Sequence, residues 1–263
     1  MSVDVQSRNA EPQISFRDVE VTYPNGAVAV ENISLDVRAG EFLAILGPSG
    51  CGKSTLLQAT AGLLGVSQGS ISVGGQSVGQ HSRATAPSIG YVFQEHRLLP
   101  WLTVAQNIET VLAATSIPKS EWQQRITEYL SMLQIEHLRD RWPNQLSGGQ
   151  RQRASISRAL SIDSDVVLMD EPFGTLDEVT ARTMRAELLE VWHRTNRTFV
   201  FVTHSIRESL FLADRVAIFT KGPASLVEII DVELPRPRDY DSPALSQLEG
   251  DVVRRVLEIW GAE

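Results

Sequence analysis

The stretch Gly47-Pro48-Ser49-Gly50-Cys51-Gly52-Lys53-Ser54-Thr55 has the residue types needed to hold a chain of phosphates. It fits G-x-x-x-x-G-K-[ST], the phosphate-binding P-loop. Its glycines let backbone N–H groups curl around phosphate oxygens, and a helix starting there points its positive end at them. Lys53 adds a point charge for the β- and γ-phosphates, and the Ser54 hydroxyl suits Mg²⁺. The motif is credible only between a strand and a helix. Glu41 to Leu46 reads as a short apolar strand, and Leu56 to Gly62 as a helical stretch with a glycine stop.

Three more polar groups each follow an apolar run: Gln94 after Val92-Phe93, Asp170-Glu171 after Leu168-Met169, and His204 after Val202-Thr203. In open parallel sheets, ligands sit beyond the carboxyl ends of the strands. These groups and the P-loop are therefore expected around one crevice. Asp170 is placed to hold Mg²⁺ through water. Glu171 is a candidate general base for the attacking water. The Gln94 amide is suited to Mg²⁺ or water, although alone it reads as an ordinary loop residue. His204 is suited to the γ-phosphate, although a lone histidine after a strand is more often structural. Leu146-Ser147-Gly148-Gly149-Gln150 offers a good N-cap at Ser147 and two glycines that permit close backbone approach. It reads as a second anion-binding helix start or, equally, as a simple capped helix.

The elements that must position these groups follow from periodicity. Residues 14–23 and 29–37 alternate like half-buried strands around Pro24-Asn25-Gly26, and 70–75 resembles a further strand, which predicts an N-terminal antiparallel sheet. Near-continuous apolar runs at 88–93, 165–169 and 198–203 alternate with helical stretches, the signature of a parallel sheet covered on both faces. Between about 95 and 160 the pattern is helical, with Trp122, Ile126, Tyr129, Leu130 and Leu133 on one face. The expected class is α/β: a P-loop NTPase core with a mainly parallel sheet, an N-terminal antiparallel β subdomain and an inserted α-helical subdomain. Residues 1–12 read as a loose terminus, Pro235-Arg236-Pro237-Arg238 as a connector, and Val252 to Trp260 as a last amphipathic helix within a C-terminal segment over 241–263. A formal net charge of -8 argues against nucleic acid as a partner. The single cysteine leaves no intramolecular disulfide framework and suits a reducing compartment. No signal peptide is legible, and no apolar run reaches the roughly 18 residues a membrane helix needs. Work at a membrane would require another chain as anchor.

The P-loop, Gln94, Leu146-Ser147-Gly148-Gly149-Gln150, Asp170-Glu171, Gly174-Thr175-Leu176-Asp177 and His204 occur in the order found in ATP-binding cassette (ABC) ATPases. The chain resembles that family from about Ile14 to Arg238, which implies an ABC ATPase domain over 13–240. Val92-Phe93-Gln94, Leu98-Leu99-Pro100-Trp101-Leu102-Thr103-Val104 and Leu234-Pro235-Arg236-Pro237-Arg238 resemble, more narrowly, the importers of nitrate, sulfonate and taurine. The resemblance implies ATP and Mg²⁺, with Tyr23 stacking on adenine. It implies catalytic roles for Lys53, Glu171 and His204, and metal contacts from Ser54, Gln94 and Asp170. It also implies a head-to-tail homodimer in which each nucleotide lies between one P-loop and the partner's Ser147-Gly148-Gly149-Gln150, with Asp177 across the interface. Transmembrane permease subunits would dock around Gln94 to Trp101, with a solute-binding protein acting indirectly. That places the chain peripherally on the cytoplasmic face of the cell inner membrane. Thr175 departs from the family's usual Ala, and Ser205 from its usual Asp; neither removes a group the chemistry needs. A soluble cassette of translation or DNA repair generally pairs two cassettes or carries a long coiled coil, and this chain has neither. A nucleotide-gated module that does not hydrolyse would not need Glu171.

Overall fold

A computed structural model describes residues 12–79 and 87–261. Most of the expected loose terminus, residues 1–11, lies outside them. In chain order the strands and α-helices are β1 (Ile14–Thr22), β2 (Val28–Val37), β3 (Phe42–Leu46), α1 (Lys53–Thr60), β4 (Gln68–Val73), β5 (Gln76–Ser77), β6 (Ile89–Val92), α2 (Val104–Leu112), α3 (Trp122–Met132), α4 (Gly148–Leu160), β7 (Val166–Asp170), α5 (Glu178–Thr195), β8 (Thr198–Thr203), α6 (Ile206–Leu212), β9 (Arg215–Phe219), β10 (Leu226–Asp231) and α7 (Pro243–Gly261). The fold is α/β, with parallel strands, an antiparallel sheet and packed helices. The chain divides into two compact units, one of residues 1–87 with 202–263 and one of residues 88–201.

In the first unit, β1 pairs antiparallel with β2 and with β4. The alternation read from the sequence is the burial pattern: Val19, Ile33, Leu35 and Val37 point inward and are buried. Asp18 and Asn32 adopt positive φ at irregularities in these strands, and both are types that tolerate that region. The strand before the P-loop, β3, is buried at every position and pairs in parallel with β9, Leu46 opposite Ile218. Strand β10 returns antiparallel on β9. Helix α7 packs on α6, and Arg207 bonds both the Glu249 carboxylate and the Tyr240 carbonyl.

In the second unit, β6 and β7 run parallel, Tyr91 opposite Leu168. Helix α4 crosses β6 so closely that a Cβ on Gly90 would lie 2.5 Å from the Ala159 carbonyl. The helical stretch is three α-helices joined by short 3₁₀ turns. The apolar face foreseen on α3 is buried at Ile126, Tyr129, Leu130 and Leu133. Trp122, at its end, donates its indole N–H to the Ile117 carbonyl at 3.0 Å. Asn107 is buried and bonds the backbone of Leu99, Leu102 and Thr103, which fixes the loop ahead of α2.

Candidate nucleotide site

The first unit carries the P-loop, Tyr23 and His204. Helix α1 begins after Gly52, whose φ of 119° and ψ of 3° suit glycine alone. A Cβ there would lie 2.1 Å from the Ala29 carbonyl oxygen. Having no side chain, Gly52 cannot cap the helix it starts. By contrast, α2, α4, α5 and α6 are capped by the side chains of Thr103, Ser147, Asp177 and Ser205. The first turn of α1 therefore suits an external anion as its cap. Lys53 is buried, and its ammonium donates to the carbonyls of Gly47 at 2.8 Å and Pro48 at 2.7 Å. This uses two of its three donors and holds the positive charge inside the curve of the loop. Tyr23 is 39% exposed, leaving ring surface open, and its hydroxyl is 2.7 Å from Thr55 Oγ1 on α1. His204 is exposed directly after β8.

A thiol at a helix N-terminus should favour thiolate. Instead Cys51 is 3% exposed, and burial pushes its pKa up, outweighing the pull of Lys53 and of backbone hydrogen bonds. Its part in the site is that of a backbone position in the P-loop. Sequence reasoning also missed the packing behind this loop. A Cβ on Gly47 would sit 3.3 Å from Phe219 Cβ, and one on Gly222 would sit 3.5 Å from Cys51 Cα. No motif marks Phe219 to Ala224, so only tertiary structure reveals this contact.

The second unit carries Gln94, Ser147 to Gln150, Asp170 and Glu171. Asp170 ends β7 and is 5% exposed. Glu171 follows at a φ of 42°, a region costly for a residue with a Cβ. The Gln94 amide nitrogen lies 3.5 Å from Glu171 Oε2, so the structure brings these two candidate site residues together. The segment after Gln94 is tied to α4: His96 Nδ1 is 2.6 Å from Gln152 Oε1, and Arg158 donates to the carbonyls of His96 and Arg97. Burial lowers the His96 pKa, favouring the neutral ring. Trp101 is 65% exposed and so lies outside the core.

Helix α4 starts with a capping box. The Gln150 N–H donates to Ser147 Oγ, and the Ser147 N–H donates to Gln150 Oε1. Gly148 and Gly149 then open the helix without side chains over their N–H groups. Gly149 packs against α5, where a Cβ would lie 2.7 Å from Thr180 Cγ2. Asp177 caps α5 by accepting from the Thr180 N–H at 3.0 Å, and this backbone bond pulls its pKa down. Ser205, where the resemblance leads one to expect Asp, still caps α6 by accepting from the Glu208 N–H.

Among the described residues no three His, Cys, Asp or Glu side chains converge as a metal cage. The Ser54 hydroxyl, the Gln94 amide oxygen and the Asp170 carboxylate are nonetheless all hard oxygen donors. Each is a donor type that suits Mg²⁺, which retains several waters and is completed by phosphates. No described helix is long and apolar enough to cross a membrane.

Residues 30–174, more than half of the chain, match the ABC transporter family. An aliphatic sulfonates import ATP-binding protein of Bacillus licheniformis is 38% identical, over 92% of this chain and 93% of its own. A bicarbonate transport ATP-binding protein of Synechocystis is 39% identical, over 87% of this chain and 82% of its own. Among solved structures, a dimeric post-hydrolysis state of the ATP-binding cassette MJ0796, bound to ADP and Pi, superposes with a TM-score of 0.74. It is 29% identical, over 84% of this chain and 100% of that one. With a glycine-started phosphate loop in one unit and a strand-end Asp170-Glu171 pair in the other, the chain belongs to the ABC transporter family as an ATP-hydrolysing cassette.

Proposed function

We infer that this cassette powers uptake of a small organic or oxyanion solute of the sulfonate, nitrate, taurine or bicarbonate kind through a separate permease. The observation that carries this reading is the near full-length likeness to a sulfonate import ATP-binding protein. The cassette works as a homodimer on the cytoplasmic face of the cell inner membrane, and the solute-binding protein acts only through the permease. The exposed Trp101, on a segment tied to α4 through His96 and Arg158, supports Gln94 to Trp101 as the permease contact.

In the site, P-loop N–H groups and Lys53 bind the β- and γ-phosphates, and the Tyr23 ring stacks on adenine. Ser54, Gln94 and Asp170 would hold Mg²⁺, which would supply charge neutralisation at the phosphates. Glu171 takes a proton from water as the water oxygen bonds to the γ-phosphorus and the bond to the bridging oxygen of ADP breaks. His204 donates to the γ-phosphate, and Gln94 orients water. Ser147 to Gln150 of the partner subunit close over the same phosphate. Much of the rate comes from positioning and preorganised charge.

The test is reconstitution with the permease in proteoliposomes and measurement of ATP-driven uptake of radiolabelled taurine, with sulfonate, nitrate and bicarbonate as competitors. Uptake of one of these, lost with Glu171→Gln, is the expected result. ATPase activity that no permease or solute stimulates would overturn the importer reading and leave the ATPase intact.

A further inference from the structure

Helix α7 supplies none of the groups assigned to the chemistry, yet its last turn reaches the back of the phosphate loop. Trp260 Nε1 donates to the Phe219 carbonyl at 2.8 Å. Phe219 ends β9 and begins a turn that runs along the P-loop. Hypothetical Cβ atoms locate the contacts: Gly47 meets Phe219 Cβ at 3.3 Å, Gly222 meets Cys51 Cα at 3.5 Å, and Gly52 meets Ala224 Cβ at 3.1 Å. The turn is held internally by Thr220, which bonds the Pro223 carbonyl and the Ser225 N–H through its hydroxyl and the Ser225 carbonyl through its N–H. Its exit is held by Ala224 N–H to the Ala29 carbonyl and Glu31 N–H to the Ala224 carbonyl. Its entry is held by Trp260.

We propose that Trp260 is a positioning residue for nucleotide binding: its indole N–H seats the turn Phe219 to Ser225 against the P-loop, so that the C-terminal helix tunes ATP affinity without touching ATP. A loop with glycines at 47, 50 and 52 has little side-chain packing of its own, and glycine loses the most conformational freedom on ordering. Neighbouring backbone must therefore restrain it before phosphate arrives. Strand β9 pairs with β3, so the strand feeding the P-loop and the strand feeding the turn share one ladder. Loosening the turn adds conformations to the free loop, and binding must remove them again. This weakens affinity and leaves the bound state's chemistry unchanged.

Trp260→Phe keeps an aromatic side chain, smaller than the indole, and removes the donor. The expected result is a rise of about threefold to tenfold in KM for ATP and in Kd for ADP, the scale of one lost hydrogen bond. Turnover number and melting temperature should stay near wild type. Arg254→Ala, on the same helix at an exposed ion pair with Asp251, serves as control and should leave KM unchanged. The proposal is overturned if Trp260→Phe leaves KM and Kd unchanged, if Arg254→Ala raises them equally, or if turnover falls together with melting temperature. Because ADP binding is read directly, a failed transport assay leaves the result standing.

Discussion

Glu171 combines two demands at one position. Its backbone sits at a φ of 42°, and its carboxylate is 3.5 Å from the Gln94 amide. A non-glycine residue there costs on the order of 1–3 kcal/mol, a cost carried where a side chain must be aimed. Glu171→Gln keeps shape and backbone but cannot take a proton from water. We expect ATP binding close to wild type, with turnover reduced by about 10²- to 10⁴-fold, read as phosphate release. Phosphate release at the wild-type rate would remove the general-base assignment. Cys51 shows the opposite relation between type and role. Spacing puts it at a helix start, but burial raises its pKa. The folded protein at neutral pH then holds less thiolate than a free cysteine would. Labelling by a thiol reagent should be slow with or without nucleotide, increase toward alkaline pH, and become fast in denaturant. Fast labelling at pH 7 that nucleotide blocks would show that the thiol is open after all.

At the scale of elements, the contact between the starts of α4 and α5 is a tight constraint that a side-chain change can relieve. A Cβ on Gly149 would lie 2.7 Å from Thr180 Cγ2, and Thr180 is pinned by the Asp177 cap. Gly149→Ala should destabilise the nucleotide-free protein by about 1–3 kcal/mol, the usual scale of overpacking. Adding Thr180→Ser removes the clashing methyl while keeping the hydroxyl, and should recover most of the loss in a denaturant melt. Equal melts for the single and double variants would mean that the helices part freely. This contact could not be read from the sequence, because it joins residues whose meeting depends on packing. The elements themselves were legible where period and punctuation agree: β8 spans the expected 198–203. Helix α7 was legible only in part. Its first half, Pro243 to Asp251, buries Leu245 alone and contains Gly250, so it has no apolar stripe to read. Tertiary contacts to α6 and Arg207 order it. The residues proposed for the site stand out in the sequence because phosphate chemistry demands particular types after particular strands. The packing of Phe219 to Ala224 against the P-loop does not, since backbone proximity leaves little trace in residue type.

At the scale of the whole molecule, two helix starts among the described residues are suited to phosphate. One is α1, begun by a glycine that cannot cap it; the other is α4, whose box engages Ser147 and Gln150 and leaves two glycines leading the helix. One such start suffices to cradle a nucleotide's phosphates within a chain. The second has a use if it closes on ATP held by another copy, and twofold symmetry then makes two equivalent sites. Complementation tests this. Lys53→Ala breaks the phosphate loop, and Ser147→Arg blocks the second helix start. Each homodimer then has two defective sites. A mixed dimer has one site carrying both defects and one intact site, built from the P-loop of the Ser147→Arg chain and the α4 start of the Lys53→Ala chain. With Glu171→Gln added to both chains to prevent turnover, neither should dimerise alone with ATP. Their mixture should do so, seen by gel filtration and by crosslinking, because one closed site is a weaker hold than two. Glu171→Gln alone must dimerise with ATP as the reference. If that reference dimerises and the mixture stays monomeric by both readouts, each chain must complete its own site.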